Sequence, residues 1–420
     1  MPRTTGKTVA VLSAAVLLAA CGTSPAPAPS PASPTTAVST GSSTAAATPT
    51  ALPAAQLTPV LASVVAAPVP VPATDGKRHL AYELQLTNSV PGAVTLTSLS
   101  VRSGTSELLT LAGDKLAYWT RVLGAGQNPT TTLGPGQSGI VWLDVVLDPA
   151  APVPTELTHD ITVDVAKPMP PLIPAETTED DVAPVTVSTH QPAVISPPLS
   201  GPRWLDGNSC CDMTAHRMAM NPLNGSLWAA ERFAIDYVQL SDDGTVFKGD
   251  PAALESYPYF GADIHAVADG PVVAVLDGLP EQVAGHSPQG LPLEQYAGDH
   301  VVQDIGGGNY ALYAHLKTGS IKVKPGDQLS TGQVIANLGN TGNTDAPHLH
   351  FHVMSTPDPL RSNGLPFLLK DFTLDGRLAS MDALDPLITG HPAVMAPGAT
   401  PREEKDLSPL VLDVMSYGNG

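Results

Sequence analysis

Pro347-His348-Leu349-His350-Phe351-His352 decides the reading of this chain. In an extended strand successive side chains point to opposite faces, so the three histidines share one face while Leu349 and Phe351 share the other. Neighbours on one face stand about 6.5–7 Å apart at a rise of ~3.3 Å per residue. That spacing lets one imidazole hold a metal ion while the next reaches water beside it. Gly342, Asn343 and Pro347 place a turn-rich loop before the strand. The segment therefore predicts a strand with an apolar core face and a face that carries chemistry.

Working outward, Tyr310-Ala311-Leu312-Tyr313-Ala314-His315-Leu316 puts His315 in alternation with Tyr313 and opposite Leu312 and Leu316. Beside a triple-histidine strand, His315 is a candidate general base or oxyanion stabiliser. Phe233-Ala234-Ile235-Asp236-Tyr237-Val238 sets Asp236 in another β-type run, and zinc accepts both carboxylate and imidazole ligands. Further strands are predicted over residues 265–276 and 300–305, with weak helical periodicity throughout. His265 shares a face with Val267 and reads as a packing residue. His286 and His300 lie in or beside a Gly- and Pro-rich loop, residues 285–298, that reads as the rim of a groove.

Taken in order, these segments resemble the lysostaphin-type, or LytM-domain, family of zinc endopeptidases, which cut peptide cross-links of peptidoglycan. The resemblance spans residues 232–354. It includes Gly261-Ala262-Asp263-Ile264-His265-Ala266-Val267-Ala268-Asp269-Gly270, and Val323-Lys324-Pro325-Gly326-Asp327-Gln328 with Gly332-Gln333-Val334-Ile335. It closes on Leu338-Gly339-Asn340-Thr341-Gly342 through His348-Leu349-His350-Phe351. What it implies is a compact antiparallel β-sheet with an open groove for peptide and one zinc ion. Asp236 and His350 would be zinc ligands, and His315 and His348 the catalytic histidines.

One position departs from the family's HxxxD pattern: Arg232 stands where a ligand histidine is expected. A guanidinium stays protonated and has no lone pair to give. Catalytic zinc keeps three protein ligands plus water, so the matched set is one short. Three readings follow. His216, in Ala215-His216-Arg217, supplies the third ligand; or a two-ligand site binds metal weakly; or the groove is degenerate. In the last, Arg232 pairs with Asp236, and the groove binds peptidoglycan or activates a partner wall hydrolase. The expectation carried forward is a zinc metalloendopeptidase acting on peptidoglycan peptides.

The rest of the chain supplies context. Arg3 and Lys7 precede a mostly apolar run over residues 8–20, of signal-peptide length and too short to span a membrane. Leu18-Ala19-Ala20-Cys21-Gly22 resembles the bacterial lipobox, which implies a lipidated Cys21 and a chain anchored in the cell envelope, outside the cytoplasm. Residues 22–58 are nearly all Ala, Ser, Thr and Pro and read as a flexible tether. Over residues 59–167, Leu80-Ala81-Tyr82-Glu83-Leu84-Gln85-Leu86 and Val94-Thr95-Leu96-Thr97-Ser98-Leu99 alternate, and Ile140-Val141-Trp142-Leu143-Asp144-Val145-Val146-Leu147 is more continuously apolar. With turns at Pro91-Gly92 and Gly134-Pro135-Gly136, this predicts an immunoglobulin-like β-sandwich, a spacer or docking module without a titratable cluster.

Residues 168–203 read as a Pro-rich linker to which residues 183–188 add a possible strand. Residues 204–372 read as the LytM-like domain, and residues 373–420 as a Pro- and Ala-rich, partly disordered tail. A net charge of −19 disfavours nucleic acid as a partner. Cys210 and Cys211 are adjacent, with α-carbons about 3.8 Å apart against a usual disulfide range of ~4.4–6.8 Å. The expectation there is a strained bridge or two free thiols.

Overall fold

Leu80, Tyr82, Leu84 and Leu86 alternate along the strand Arg78–Asn88 and are fully buried, as their period of two requires. The computed structural model that shows this describes residues 55–124, 126 and 128–418. The expected signal peptide, the lipidation expected at Cys21 and nearly all of the expected tether lie outside the described residues. Among those described, no helix is long and apolar enough to cross a membrane.

Two five-stranded sheets build the N-terminal sandwich. The first orders Val60–Val64, Arg78–Asn88, Ser138–Leu147 and Thr120–Val122, with Val71–Pro72 added to Arg78–Asn88. The second orders Glu176–Thr186, Glu156–Val165, Val94–Ser103 and Ser106–Ala112, with Thr132–Leu133 added to Val94–Ser103. Their inner faces share one core, to which Tyr82 and Leu143 come from the first sheet and Leu99 and Ile161 from the second. Each such side chain contributes roughly 1.5–3 kcal/mol by leaving water.

Glu176–Thr186 corrects the expected linker. It is an 11-residue strand paired antiparallel to Glu156–Val165 across two register irregularities. Its exposed Glu176, Thr178 and Asp180 make it look like solvated linker, while Thr177 and Glu179 turn inward.

The C-terminal half is organised by a 12-stranded sheet. Its central order is Phe367–Arg377, Asp413–Tyr417, Gly201–Gly207, Ile235–Gln239, Leu349–Met354, Asn309–Ala314, His300–Gly306 and Gly270–Leu276. Each of these neighbours its successor antiparallel. Leu349 and Phe351 are wholly buried in the core beneath, together with Tyr237, Tyr313 and Phe367. The expected tail is not a tail. The strand Phe367–Arg377 runs through residue 372, and Asp413–Tyr417 inserts between it and Gly201–Gly207. Met415 is fully buried there, and Arg402-Glu403-Glu404-Lys405-Asp406, a mixed-charge patch within the expected tail, lies in the flanking strand Arg402–Leu407. Charged residues suit a strand at the margin of a sheet, which is why the patch reads as unstructured.

This register fixes a row across four strands, Gly207 opposite Asp236, Asp236 opposite His350, and His350 opposite Ala314. Glycine is required at one end of it. A β-carbon at Gly207 would stand 2.9 Å from the Asp236 carbonyl oxygen. Cys210 and Cys211, a few residues beyond this strand, are joined by a disulfide.

Candidate metal centre

The row places Asp236 and His350 side by side, and His350 Nδ1 lies 2.9 Å from Asp236 Oδ1. His315 follows directly on Ala314, at the end of the row, and His348 stands just before the strand Leu349–Met354. His216 comes from outside the sheet, on the one-turn helix Ala215–Met218, and sets its Nε2 3.2 Å from Asp236 Oδ2. His216, Asp236 and His350 thus bring one ligand atom each within 4.8 Å of one another, and so do His315, His348 and His350.

Hydrogen bonds to carbonyl oxygens, which only accept, fix the ring tautomers. His216 Nδ1–H donates to the Ala234 carbonyl at 2.9 Å. His348 Nδ1–H donates to the Ala346 carbonyl at 2.8 Å, and His315 Nδ1–H to the Thr341 carbonyl at 2.7 Å. Each neutral ring then carries its lone pair on Nε2. For His216 and His348 that lone pair faces a carboxylate oxygen of Asp236, at 3.2 Å in both cases. Lone pairs that face each other repel unless a cation or extra protons sit among them. Two imidazoles and a carboxylate around an open side are a donor set that zinc accepts. The residues present fit the metal.

Electrostatics in the metal-free protein agree. Burial opposes charge on His216, but the Asp236 carboxylate outweighs it and holds the imidazolium up to about 9. Burial would raise Asp236, yet His216 and His348 hold it well below the usual carboxylate range. His348 is also raised, the Asp236 attraction overcoming its burial. His315 is held well below the ordinary imidazole value by burial and by the charges of His348 and His350, which keeps it neutral at pH 7. The carboxylate is the hub of the site.

Arg232 is elsewhere. Its Nε and Nη2 donate to the two oxygens of Glu83, at 3.0 and 2.5 Å, in the strand Arg78–Asn88 of the sandwich. The expected pairing of Arg232 with Asp236 is therefore corrected: residues 231–234 form a turn before the strand starts at Ile235, and the side chain leaves toward the other domain. Asp236 pairs with His216, His348 and His350 instead. The expectation that the sandwich lacks titratable clusters is also corrected. Buried Glu83 meets Arg232, and His79 pairs with Asp75 and Asp144.

Sequence reading gave no role to two partners. Asn208 Nδ2 donates to Asp236 Oδ2 at 2.9 Å; nothing in its local sequence marks it, because it arrives through strand register. The ring of His352, visible in the sequence as the third histidine of its face, touches His350, Nδ1 to Nε2 at 2.9 Å. The cleft above the site holds about 300 Å³ and is lined by Glu231, Asn343, Asp345 and Pro359 among others. Ser287, Pro288 and Tyr296 from residues 285–298 line it too, as a rim should. Gly298 and Gly342 let that loop approach; a β-carbon on Gly342 would overlap the Gly298 backbone, and one on Gly298 the Thr341 carbonyl that holds His315.

Residues 257–362 match the family model described as Peptidase family M23. The chain carries an M23 domain. The matched span contains His315, His348 and His350, while His216 and Asp236 precede it. Two curated relatives are similar, both from Vibrio cholerae. Peptidoglycan DD-endopeptidase ShyA is 31% identical over 112 residues, covering 27% of this chain and 24% of that one. Peptidoglycan DD-endopeptidase ShyB is 30% identical over 134 residues, covering 31% and 29%. The chain thus spans about a quarter of the length of these relatives. Among solved structures, the catalytic domain of the antimicrobial peptidase lysostaphin from Staphylococcus simulans is 19% identical, with a TM-score of 0.21 over 39% of this chain and 84% of that one.

Proposed function

We propose that the M23 domain is a zinc metalloendopeptidase that cleaves peptide cross-links of peptidoglycan. One observation carries the reading: His216 brings a ring nitrogen within 4.8 Å of ligand atoms of Asp236 and His350, a three-group set that could hold the metal where Arg232 cannot. The names of the curated relatives, two peptidoglycan DD-endopeptidases, support the substrate class. A site outside the cytoplasm follows from that substrate, and the lipobox resemblance at Cys21 would hold the domain near the wall through lipid.

Zinc, when bound, supplies a Lewis acid that polarises a carbonyl and acidifies water. The chain does the rest. Asn208 and the three imidazoles fix the Asp236 carboxylate in one orientation. Thr341 and Ala346 hold His315 and His348 so that each presents Nε2 as its basic atom. His315, neutral at pH 7, accepts a proton from attacking water and passes it to the leaving amine. His348, protonated more readily, donates toward the developing oxyanion. The cleft above them takes an extended peptide.

Elemental analysis of the purified chain tests this together with a digest of cross-linked muropeptides. About one zinc per chain, lost in Asp236→Ala along with cleavage, is the expected result. Hydrolysis by metal-free protein, or a wild-type chain that takes up no zinc, would overturn the reading. The Arg232–Asp236 pairing expected of a degenerate groove does not form, since Arg232 is engaged by Glu83, and a chain that takes up no zinc is the outcome that alternative predicts.

A further inference from the structure

His216 does not sit on the sheet that carries the other site residues, and its helix is too short to hold itself. Ala215–Met218 is a single turn, and an isolated turn is unstable in water. Thr214 caps it by accepting the Arg217 N–H. Beyond that cap, the sandwich adds three contacts to the restraint. Trp142 Nε1 donates to the Arg217 carbonyl at 2.6 Å. The Arg217 side chain, fully buried, donates through Nη2 to the Leu143 carbonyl at 3.4 Å and lies 3.9 Å from Glu83 through Nε. Its Nη1 donates to the Cys211 carbonyl at 3.3 Å.

The same Glu83 also grips the second segment that matters to His216. Its carboxylate takes both Arg232 bonds, and Arg232 is two residues before Ala234, whose carbonyl fixes the His216 tautomer. Glu83 and Trp142 are direct cross-strand partners in the sandwich. One cross-strand pair therefore restrains residue 217, beside the ligand, and residue 232, beside the carbonyl that orients the ligand. Glu83 is fully buried with two guanidinium groups around it, so this contact forms only where sandwich and M23 domain are docked.

We propose that the β-sandwich positions the third metal ligand, with Glu83 and Trp142 as positioning residues for His216. This rests on the zinc reading above. The sandwich is then a working part of the metal site: the sheet supplies two ligands by its own register, and the third is placed from the neighbouring domain. Removing the grip frees residues 215–218 to depart from Asp236 while the sheet stays intact.

The test is zinc affinity of the full chain by chelator competition, read beside the thermal melt of the metal-free protein. Glu83→Gln is expected to weaken zinc about tenfold or more, in the range seen when groups that orient a metal ligand are removed. Trp142→Phe stays aromatic but loses the N–H with part of the ring system, and should weaken zinc by a smaller factor. It carries the test if Glu83→Gln does not fold. Leu99→Ala, in the sandwich core and away from the contact, should lower the melt yet bind zinc within twofold of wild type. Glu83→Gln and Trp142→Phe both within twofold would overturn the proposal, as would an equal loss in Leu99→Ala, which would mean that sandwich stability alone matters. Wild-type protein without zinc would sink the metallopeptidase reading itself, and this inference with it.

Discussion

Arg232→His writes the histidine of the HxxxD pattern into the chain, and the structure expects it to damage the protein rather than repair the site. Arg232 gives buried Glu83 two charge-assisted hydrogen bonds, at 3.0 and 2.5 Å, and its side chain is 2% exposed. Each such bond contributes roughly 1.5–3 kcal/mol. The remaining cation, Arg217, stands 3.9 Å from Glu83, beyond hydrogen-bond reach. An imidazole is too short to span to both carboxylate oxygens, so Glu83 is left buried and poorly paired. Breaking a buried pair from one side costs about 3–5 kcal/mol, in line with the bond-by-bond figure. Urea unfolding followed by tryptophan fluorescence reads this as a lower midpoint at unchanged slope. Zinc stoichiometry should not rise. A variant within about 1 kcal/mol of wild type that binds zinc more tightly would refute the reasoning, because it would put residue 232 in the metal site.

Three further outcomes follow from the same geometry. His216→Ala should abolish stoichiometric zinc while the metal-free fold, judged by near-UV circular dichroism, persists; full zinc retention would remove His216 from the site. Truncation after Phe372 should yield insoluble or loosely packed protein, since Leu374, Met415 and Tyr417 leave the core around Trp204 and Tyr237; a sharp cooperative melt of the truncated chain would contradict this. Glu179, in the sandwich, is pushed by burial from 4.5 up to about 7 while it accepts the Val60 N–H. The folded state then keeps a proton that the unfolded chain releases above about pH 4.5, so stability falls as pH rises to about 7. The loss amounts to about 3 kcal/mol at 1.36 kcal/mol per unit. Glu179→Gln should flatten that slope in urea titrations at about pH 5 and about pH 8.

What was legible in the sequence is what local periodicity controls. His348, His350 and His352 fall on one side of a strand and Leu349 and Phe351 in the core because alternation leaves no other choice. Asp236 was readable for the same reason, and strand register then made it the neighbour of His350. Arg232 was readable as a non-ligand from its chemistry alone, but its actual task was not. Its partner Glu83 lies 149 residues earlier in the chain. Along Leu80–Leu86, alternation assigns Glu83 to an outward, solvated face, and in the sandwich alone that would be right. The M23 domain covers that face, so Ala81 and Glu83 are buried like their inward neighbours. A small Ala81 beside Glu83 was the available sign that something packs there. The C-terminal strands failed to register because Pro and Ala dominate residues 392–401 and mask the short apolar run of Val414, Met415 and Tyr417 that follows.

The position of the proposed third ligand has a geometric origin. Adjacent strands bring side chains on one face within about 4.5–5.5 Å at the β-carbons, so a sheet readily supplies two candidate ligands such as Asp236 and His350. A third must approach from above that face to close a tetrahedral set with one open position. With residues 231–234 in a turn and Arg232 committed to Glu83, that approach is made by Ala215–Met218 instead. Any segment that carried an imidazole to Asp236 and fixed its tautomer would serve the metal equally well. The segment proposed here is short and held in part by groups of another domain, so the proposed metal site would inherit the stability of a domain interface. On this proposal metal binding is tied to docking, which a ligand supplied by the sheet itself would not do.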